Sequence, residues 1–266
     1  MIGFCLIVPL TAAAATLQSR TLEAWNGYLR LTEARIESEL QSSSGFLRLD
    51  FMKPVEAGKV GSLLKNGKVY VEPVQTLDGD GHEIRLQGGM IHHWYGAIFI
   101  PNVKVESLVR WIQDYDHHSR YFKEVEQSKL LSQQDNTFLI YLRLKRTKLV
   151  TVHYNTNRKA VYQSRGPGRV SSQSVALRIA EIENAGTPSE TEEPVGVDSG
   201  FMWRLNSYWR FQEQDGGVVV ECESVSLSRS IPYGLGWLIK EFVESLPRES
   251  LDSVLTSIRD GAAGIH

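Results

Sequence analysis

The chain has 266 residues, 42% of them hydrophobic and 23% charged, with 29 Lys and Arg against 31 Asp and Glu for a formal net charge of -2. That is the composition of a globular chain with enough apolar material for one sizeable core. It leaves no basic excess to draw in nucleic acid or an anionic membrane.

Met1 to Ala15 reads MIGFCLIVPLTAAAA. This is an apolar run of signal-peptide size that ends in small residues fitting an Ala-x-Ala cleavage rule at Ala13-Ala14-Ala15. It falls short of the roughly 20 apolar residues of a spanning helix. No Lys or Arg precedes the apolar core, and Phe4 stands before Cys5 where a lipobox wants a small residue. The expectation is a cleaved signal over 1–15 that lacks a basic n-region, and therefore an exported protein, periplasmic or extracellular. Cleavage would leave Cys222 as a lone cysteine with no disulfide partner.

Thr16 to Leu40 reads as a helix. Leu22, Trp25, Leu29, Ile36 and Leu40 recur at helical steps, while Arg30, Glu33, Glu37 and Glu39 can face water. Ser42 to Gly45 ends it. FLRLDFM (Phe46 to Met52) alternates like a strand, and VYVEPVQT and HEIRLQ flank the Leu77–Gly81 turn as a hairpin. Residues 16–88 are thus expected to be a helix plus a small β extension that packs on the main domain as an extra layer.

Gly88-Gly89 marks a boundary, with a main domain over 89–262. IHHWYGAIFIP is a strand, and VKVESLVRWIQDYDHHSRYF holds two short helices broken at Asp114 to Ser119. VEQSKLL, TFLIYLRLK, KLVTVHYNT and SVALRIAEIE follow as strands. Asn184 to Gly200 is polar, Pro- and Gly-rich, and reads as an exposed loop. FMWRLNSYWRF and VVVECESVSLSRS then form a hairpin about Asp215-Gly216-Gly217, followed by the longest helical pattern, divided at Pro247.

The hairpin's faces decide where chemistry lies. Phe201, Trp203, Leu205, Ser207, Trp209 and Phe211 share one face of the first strand. A two-residue turn at Asp215-Gly216 sets Arg210 opposite Glu221; a one-residue shift sets it opposite Glu223. Either way Arg204, Arg210, Glu221 and Glu223 lie on the other face. The alternation favours exposed cross-strand pairs worth roughly 0 to 1 kcal/mol each; burial by the N-terminal segment would reverse that. Ser224, Ser226 and Ser228 stand across from large Trp residues. They leave space and offer hydroxyls to a ligand's polar end, or else the last strand runs toward an edge. Val175, Leu177 and Ile179 share an inward face on their strand.

This order of elements resembles the START-like (SRPBCC) superfamily, which includes polyketide cyclases, pathogenesis-related ligand binders and lipid-transfer domains. The likeness is carried by IHHWYGAIFIP with VESLVRWIQDYD and by WRLNSYWRF with the hairpin and GLGWLIKEFVESLPRESLDSVL. It implies an α+β helix-grip fold, a curved antiparallel sheet wrapped around a long C-terminal helix with an apolar cavity between. It transfers no catalytic residue by position.

Adjacent histidines point to opposite faces of a strand, so His92-His93 is a poor chelate, as is His117-His118. No metal site is expected. One of His92 and His93 must face inward. No GxSxG, phosphate loop, Rossmann fingerprint or Cys-His constellation is present, and no cofactor is implied. KRTK (Lys145 to Lys148) with Arg143 is a basic turn that offers a peripheral contact for anionic lipid headgroups.

The primary reading is an exported, non-enzymatic binder of a small hydrophobic or amphipathic, lipid-like ligand. Its expected ligand-binding residues are Trp203, Trp209, Tyr154, Leu177, Cys222, Ser224, Trp237, Phe242 and His92. The alternative is a cyclase or aromatase-type enzyme using the same cavity. A third reading is a packing protein whose core is filled.

Overall fold

The computed structural model describes residues 15–147, 151–230 and 236–265, and for 236–244 the backbone only. Of the expected signal over 1–15, residues 1–14 lie outside the described residues and Ala15 lies within them. Among the described residues no helix is long and apolar enough to cross a membrane.

In chain order the strands are β1 (Ala15–Thr16), β2 (Tyr70–Pro73), β3 (Gly89–Pro101), β4 (Val125–Gln134), β5 (Thr137–Thr147), β6 (Thr151–Ser164), β7 (Arg169–Glu183), β8 (Thr191–Glu192), β9 (Val197–Asp198), β10 (Arg204–Gln214) and β11 (Gly217–Arg229). Among the described residues one nine-stranded antiparallel sheet dominates, in the order β2-β3-β11-β10-β7-β6-β5-β4, with β8 added to the end of β7. The short strands β1 and β9 pair separately. The helices are α1 (Ser19–Leu40), α2 (Pro54–Lys65), α3 (Val105–Ile112), α4 (His118–Tyr121) and α5 (Gly236–Ala262). A sheet with a long C-terminal helix on one face is the helix-grip arrangement, an α+β fold.

Helix α5 is held where the sheet makes room for it. A Cβ placed on Gly96 of β3 would meet Leu255 Cδ1 at 2.7 Å and Leu251 Cγ at 3.0 Å. The missing side chain lets the helix sit directly on the strand. Leu251, Leu255 and Ile258 are buried there with Ile98, Val220 and Phe211. The helix runs through Pro247 as one element.

The β10–β11 turn resolves the register. Asp215 and Gly216 both have positive φ, 51° and 76°, as a tight two-residue hairpin turn requires. Arg210 therefore stands opposite Glu221. The strand β11 lies between β3 and β10, so the reading of Ser224 to Ser228 as part of an edge strand is overturned.

The N-terminal region differs most from expectation. FLRLDFM is not a strand: Arg48–Phe51 is a turn of 3-10 helix. Carboxylates make it so, since Asp50 accepts the N–H groups of Phe46 and Leu47, and Glu221 those of Arg48 and Leu49. Helix α2 follows, started by Pro54 at its first position. The expected hairpin over 69–87 is a single bridge, Leu77 to Glu83, and β2 pairs with β3 instead.

The charged face of the hairpin is covered. Arg210, Glu221 and Glu223 are 3%, 2% and 3% exposed, so they are not surface pairs. Helix α1 lies over them, burying Trp25, Tyr28, Thr32 and Ile36. Three of its acids find partners on or beside the sheet, though the Glu37 side chain stays about half exposed at 47%. Glu33 accepts from Tyr208, Glu37 pairs with Arg165, and Glu39 with Arg210 at 2.5 Å. Arg204 stays outside this cluster and donates to the Trp203 carbonyl.

Candidate functional site: a cavity between sheet and helix

On the other face, sheet and α5 do not close on each other. A cavity of about 730 Å³ lies between them, within the size range of small-molecule sites. The filled-core reading is thereby set aside. The floor is the inward side of the strands. Ile140, Leu142 and Leu144 come from β5, Leu205, Ser207 and Trp209 from β10, and Cys222, Ser224 and Ser226 from β11. The roof is α5, through Leu246, Leu251 and Val254, and the segment around α4 supplies Tyr115, His118 and Phe122.

Of the expected site residues, Trp209, Tyr154, Cys222, Ser224 and His92 all line the cavity. Trp209 stands opposite Cys222 in the ladder. Burial pushes the Cys222 thiol well above its ordinary value, so it is a small wall residue and a poor nucleophile.

Trp203 does not line the cavity. It precedes β10, its indole N–H donates to Asp198 at 3.0 Å, and its ring packs with Trp25 and Tyr28 of α1. Leu177 is 60% exposed. The pairing of β6 with β7 jumps from Asn157–Arg178 to Arg158–Ala176. Leu177 is the extra residue, and such a bulge shifts the alternation. Beyond it Ile179 turns inward beside Tyr154 and Ala176, while Val175 and Leu177 do not share its face. The side chains of Trp237 and Phe242 lie outside the described residues.

His92 and His93 separate as strand geometry demands. His93 points into the α1 layer; His92 faces the cavity and bonds Ser228 Oγ at 2.9 Å. Since Ser228 Oγ donates to the Arg229 carbonyl, the His92 Nε2–H is the donor of that bond. Burial lowers the His92 pKa to about 4, so the ring is neutral at pH 7. His118 is buried as well; its Nε2 donates to the Ile112 carbonyl at 2.8 Å and burial lowers its pKa to about 4. His117 instead pairs with Asp114 in an exposed position.

Alternation also brings in groups that carry no motif of their own. Tyr154, Thr156, Arg158, Ala160 and Tyr162 share a parity on β6, and four of them line the cavity. Tyr162 and Tyr115 join hydroxyls at 2.8 Å, and burial raises both pKa values, that of Tyr162 to about 12. A signal for Arg158 is present in the sequence: counting by twos from Tyr154 passes Thr156 and reaches the arginine.

The mouth is polar. Arg146 pairs with Glu124, donates to the Leu246 carbonyl at 2.9 Å, and Ser250 Oγ donates to the same Glu124 at 3.0 Å. The basic turn around it is largely neutralised, since Arg143 pairs with Glu190 and Glu126, and Lys145 with Glu126. Lys148 lies outside the described residues.

No family model matches the chain, and no curated protein matches it. Among solved structures it is similar to a STAR-related lipid transfer protein from Xanthomonas axonopodis, with 16% identity over 71% of this chain and 98% of that one, TM-score 0.45. It is also similar to the Zhui aromatase/cyclase from a Streptomyces species, with 10% identity over 65% and 94% of the two chains, TM-score 0.44. A START superfamily protein from Mycobacterium smegmatis is similar at 6% identity over 64% and 95%, TM-score 0.41.

Proposed function

We propose that this chain binds a small hydrophobic or amphipathic molecule between its sheet and its C-terminal helix. The observation that carries the reading is the cavity of about 730 Å³ with predominantly apolar walls. An apolar hollow of that size loses packing contacts that a filled core would keep. A ligand with an apolar body restores them and removes its own surface from water.

The test is binding of Nile red, an uncharged apolar dye, to purified protein and to Ser224→Phe. Ser224 is a small residue on the cavity floor, and a phenyl ring there occupies ligand space. One dye per chain is expected for the natural sequence, with affinity at least tenfold weaker in the variant and an unfolding temperature within a few degrees. Absence of dye binding, or equal affinity in the variant, would refute the reading.

We also propose that the protein is exported, a reading supported by the apolar, alanine-ended leader over 1–15. Intact mass of protein recovered from its host should show loss of those residues. Recovery with Met1 in place from the cytosol would overturn export and leave the binding proposal untouched.

A further inference from the structure

The cavity wall holds a cation with no counter-charge. Arg158 projects from β6 into the cavity. Its Nε has no hydrogen-bond partner, and it forms no ion pair among the described residues. The titratable groups coupled to it are Tyr115, Cys222, Tyr162 and His118, all neutral at pH 7 because burial raises the first three pKa values and lowers that of His118. Burial disfavours the guanidinium as well, yet arginine keeps its proton in proteins. Its accessible surface opens onto the cavity, since the residue is enclosed by protein and is only half-buried by area.

Arg146, Lys123 and Arg229 also line the cavity, but Glu124 neutralises Arg146, Lys123 is exposed to solvent, and Arg229 acts on the Asp198 carboxylate. A buried cation left without a partner is costly. Resting on the cavity-binding reading above, we propose that Arg158 is the anion-binding point of the cavity and that its ligand is a long-chain carboxylic acid, bound as the carboxylate.

Charge narrows the class to singly charged anions. One guanidinium balances one negative charge, whereas a phosphate monoester at pH 7 carries a charge nearer -2 and would leave an excess among apolar walls. The planar fork of arginine matches two carboxylate oxygens, and it would match a singly charged phosphodiester as well, which is the rival the experiment separates. The phenols of Tyr115 and Tyr162 offer hydroxyl groups near the guanidinium, and Ile140 and Leu142 on the adjoining strand supply apolar wall for a chain.

The experiment compares hexadecanoate, hexadecan-1-ol and a single-chain lysophosphatidylglycerol, by titration calorimetry on the full chain and on Arg158→Met and Arg158→Lys. Hexadecanoate should bind the natural sequence at least tenfold tighter than the alcohol. Arg158→Met should bring the two within twofold while keeping the affinity for the alcohol, and Arg158→Lys should fall between. The comparison on the natural sequence needs no variant, so a misfolded variant does not spare the proposal. Equal binding of acid and alcohol would overturn the anion site and leave the cavity reading standing. Tighter, Arg158-dependent binding of the phosphodiester than of the carboxylate would overturn the carboxylate assignment. Binding of none of the three would remove the anion site and the cavity reading together.

Discussion

Glu223→Ala lowers the unfolding free energy by about 3 to 5 kcal/mol, the range for removing one partner of a buried ion pair. Its carboxylate is the meeting point of the layer between α1 and the sheet. Arg35 of α1 reaches it at 2.5 Å, His93 of β3 at 3.1 Å and Arg210 of β10 at 3.8 Å, with Arg48 at 4.0 Å. Burial alone would raise the Glu223 pKa. The His93 hydrogen bond and the Arg35 charge overcome it and hold the carboxyl well below the usual carboxylate range. The His93 tautomer follows from its neighbours. Tyr28 Oη accepts the Thr76 N–H at 3.0 Å and so donates to His93 Nδ1 at 2.9 Å, which leaves the Nε2–H for Glu223.

Truncation at Glu223 therefore removes the carboxylate that His93, Arg35, Arg210 and Arg48 share, and leaves Glu39 as the remaining ion-pair partner of Arg35 and Arg210 among the described residues. Urea unfolding at pH 7 measures the loss through the midpoint at constant slope. Hydrogen exchange should show the amides of α1 opening more readily than those of β10 and β11. A loss below about 1 kcal/mol, the size of a surface pair, would mean that the layer is solvated and that α1 is held by other contacts.

The legible part of this fold is its period-two pattern. Phe138, Ile140 and Leu142 alternate cleanly and do face α5, and Asp215-Gly216 fixes one hairpin register through turn chemistry alone. What stays hidden has physical causes. Arg210, Glu221 and Glu223 read as surface residues because alternation reports sides and is silent about what covers a side. The cover, α1, reaches them through Arg35 and through Glu39, a residue that the helical spacing assigns to water. Leu177 falls on the wrong face because a bulge leaves no mark in residue type. Asp50 and Glu221 turn an alternating segment into a 3-10 turn by accepting four backbone N–H groups. Trp203 is misplaced when strand parity is extended one residue before the start of β10 at Arg204. Arg158 is within reach of the pattern, but arginine on a strand usually marks the wet face, and only the position of the cavity inverts that.

The second large effect appears on acidification. His92 and His118 are neutral in the folded chain with pKa values of about 4, against about 6.5 in an unfolded chain. Between those values the unfolded state binds more protons, so stability falls as pH falls. Two pH units, from 6.5 to 4.5, at about 1.36 kcal/mol per unit give roughly 2.7 kcal/mol for each histidine, or about 5 for both. Raised carboxyls act in the opposite sense. Burial raises Glu181, Glu221 and Asp198, and these groups gain stability from protonation over their own shifted range, so the total curve is a difference of terms. The histidine contribution is isolated by comparing the natural sequence with the double variant His92→Gln, His118→Gln. From pH 7 to pH 4.5 the natural sequence should lose about 5 kcal/mol more than the variant, whatever their stabilities at pH 7. Parallel stability curves for the two proteins would show that the rings are hydrated in the folded state, and that the cavity wall at His92 and His118 is open to water.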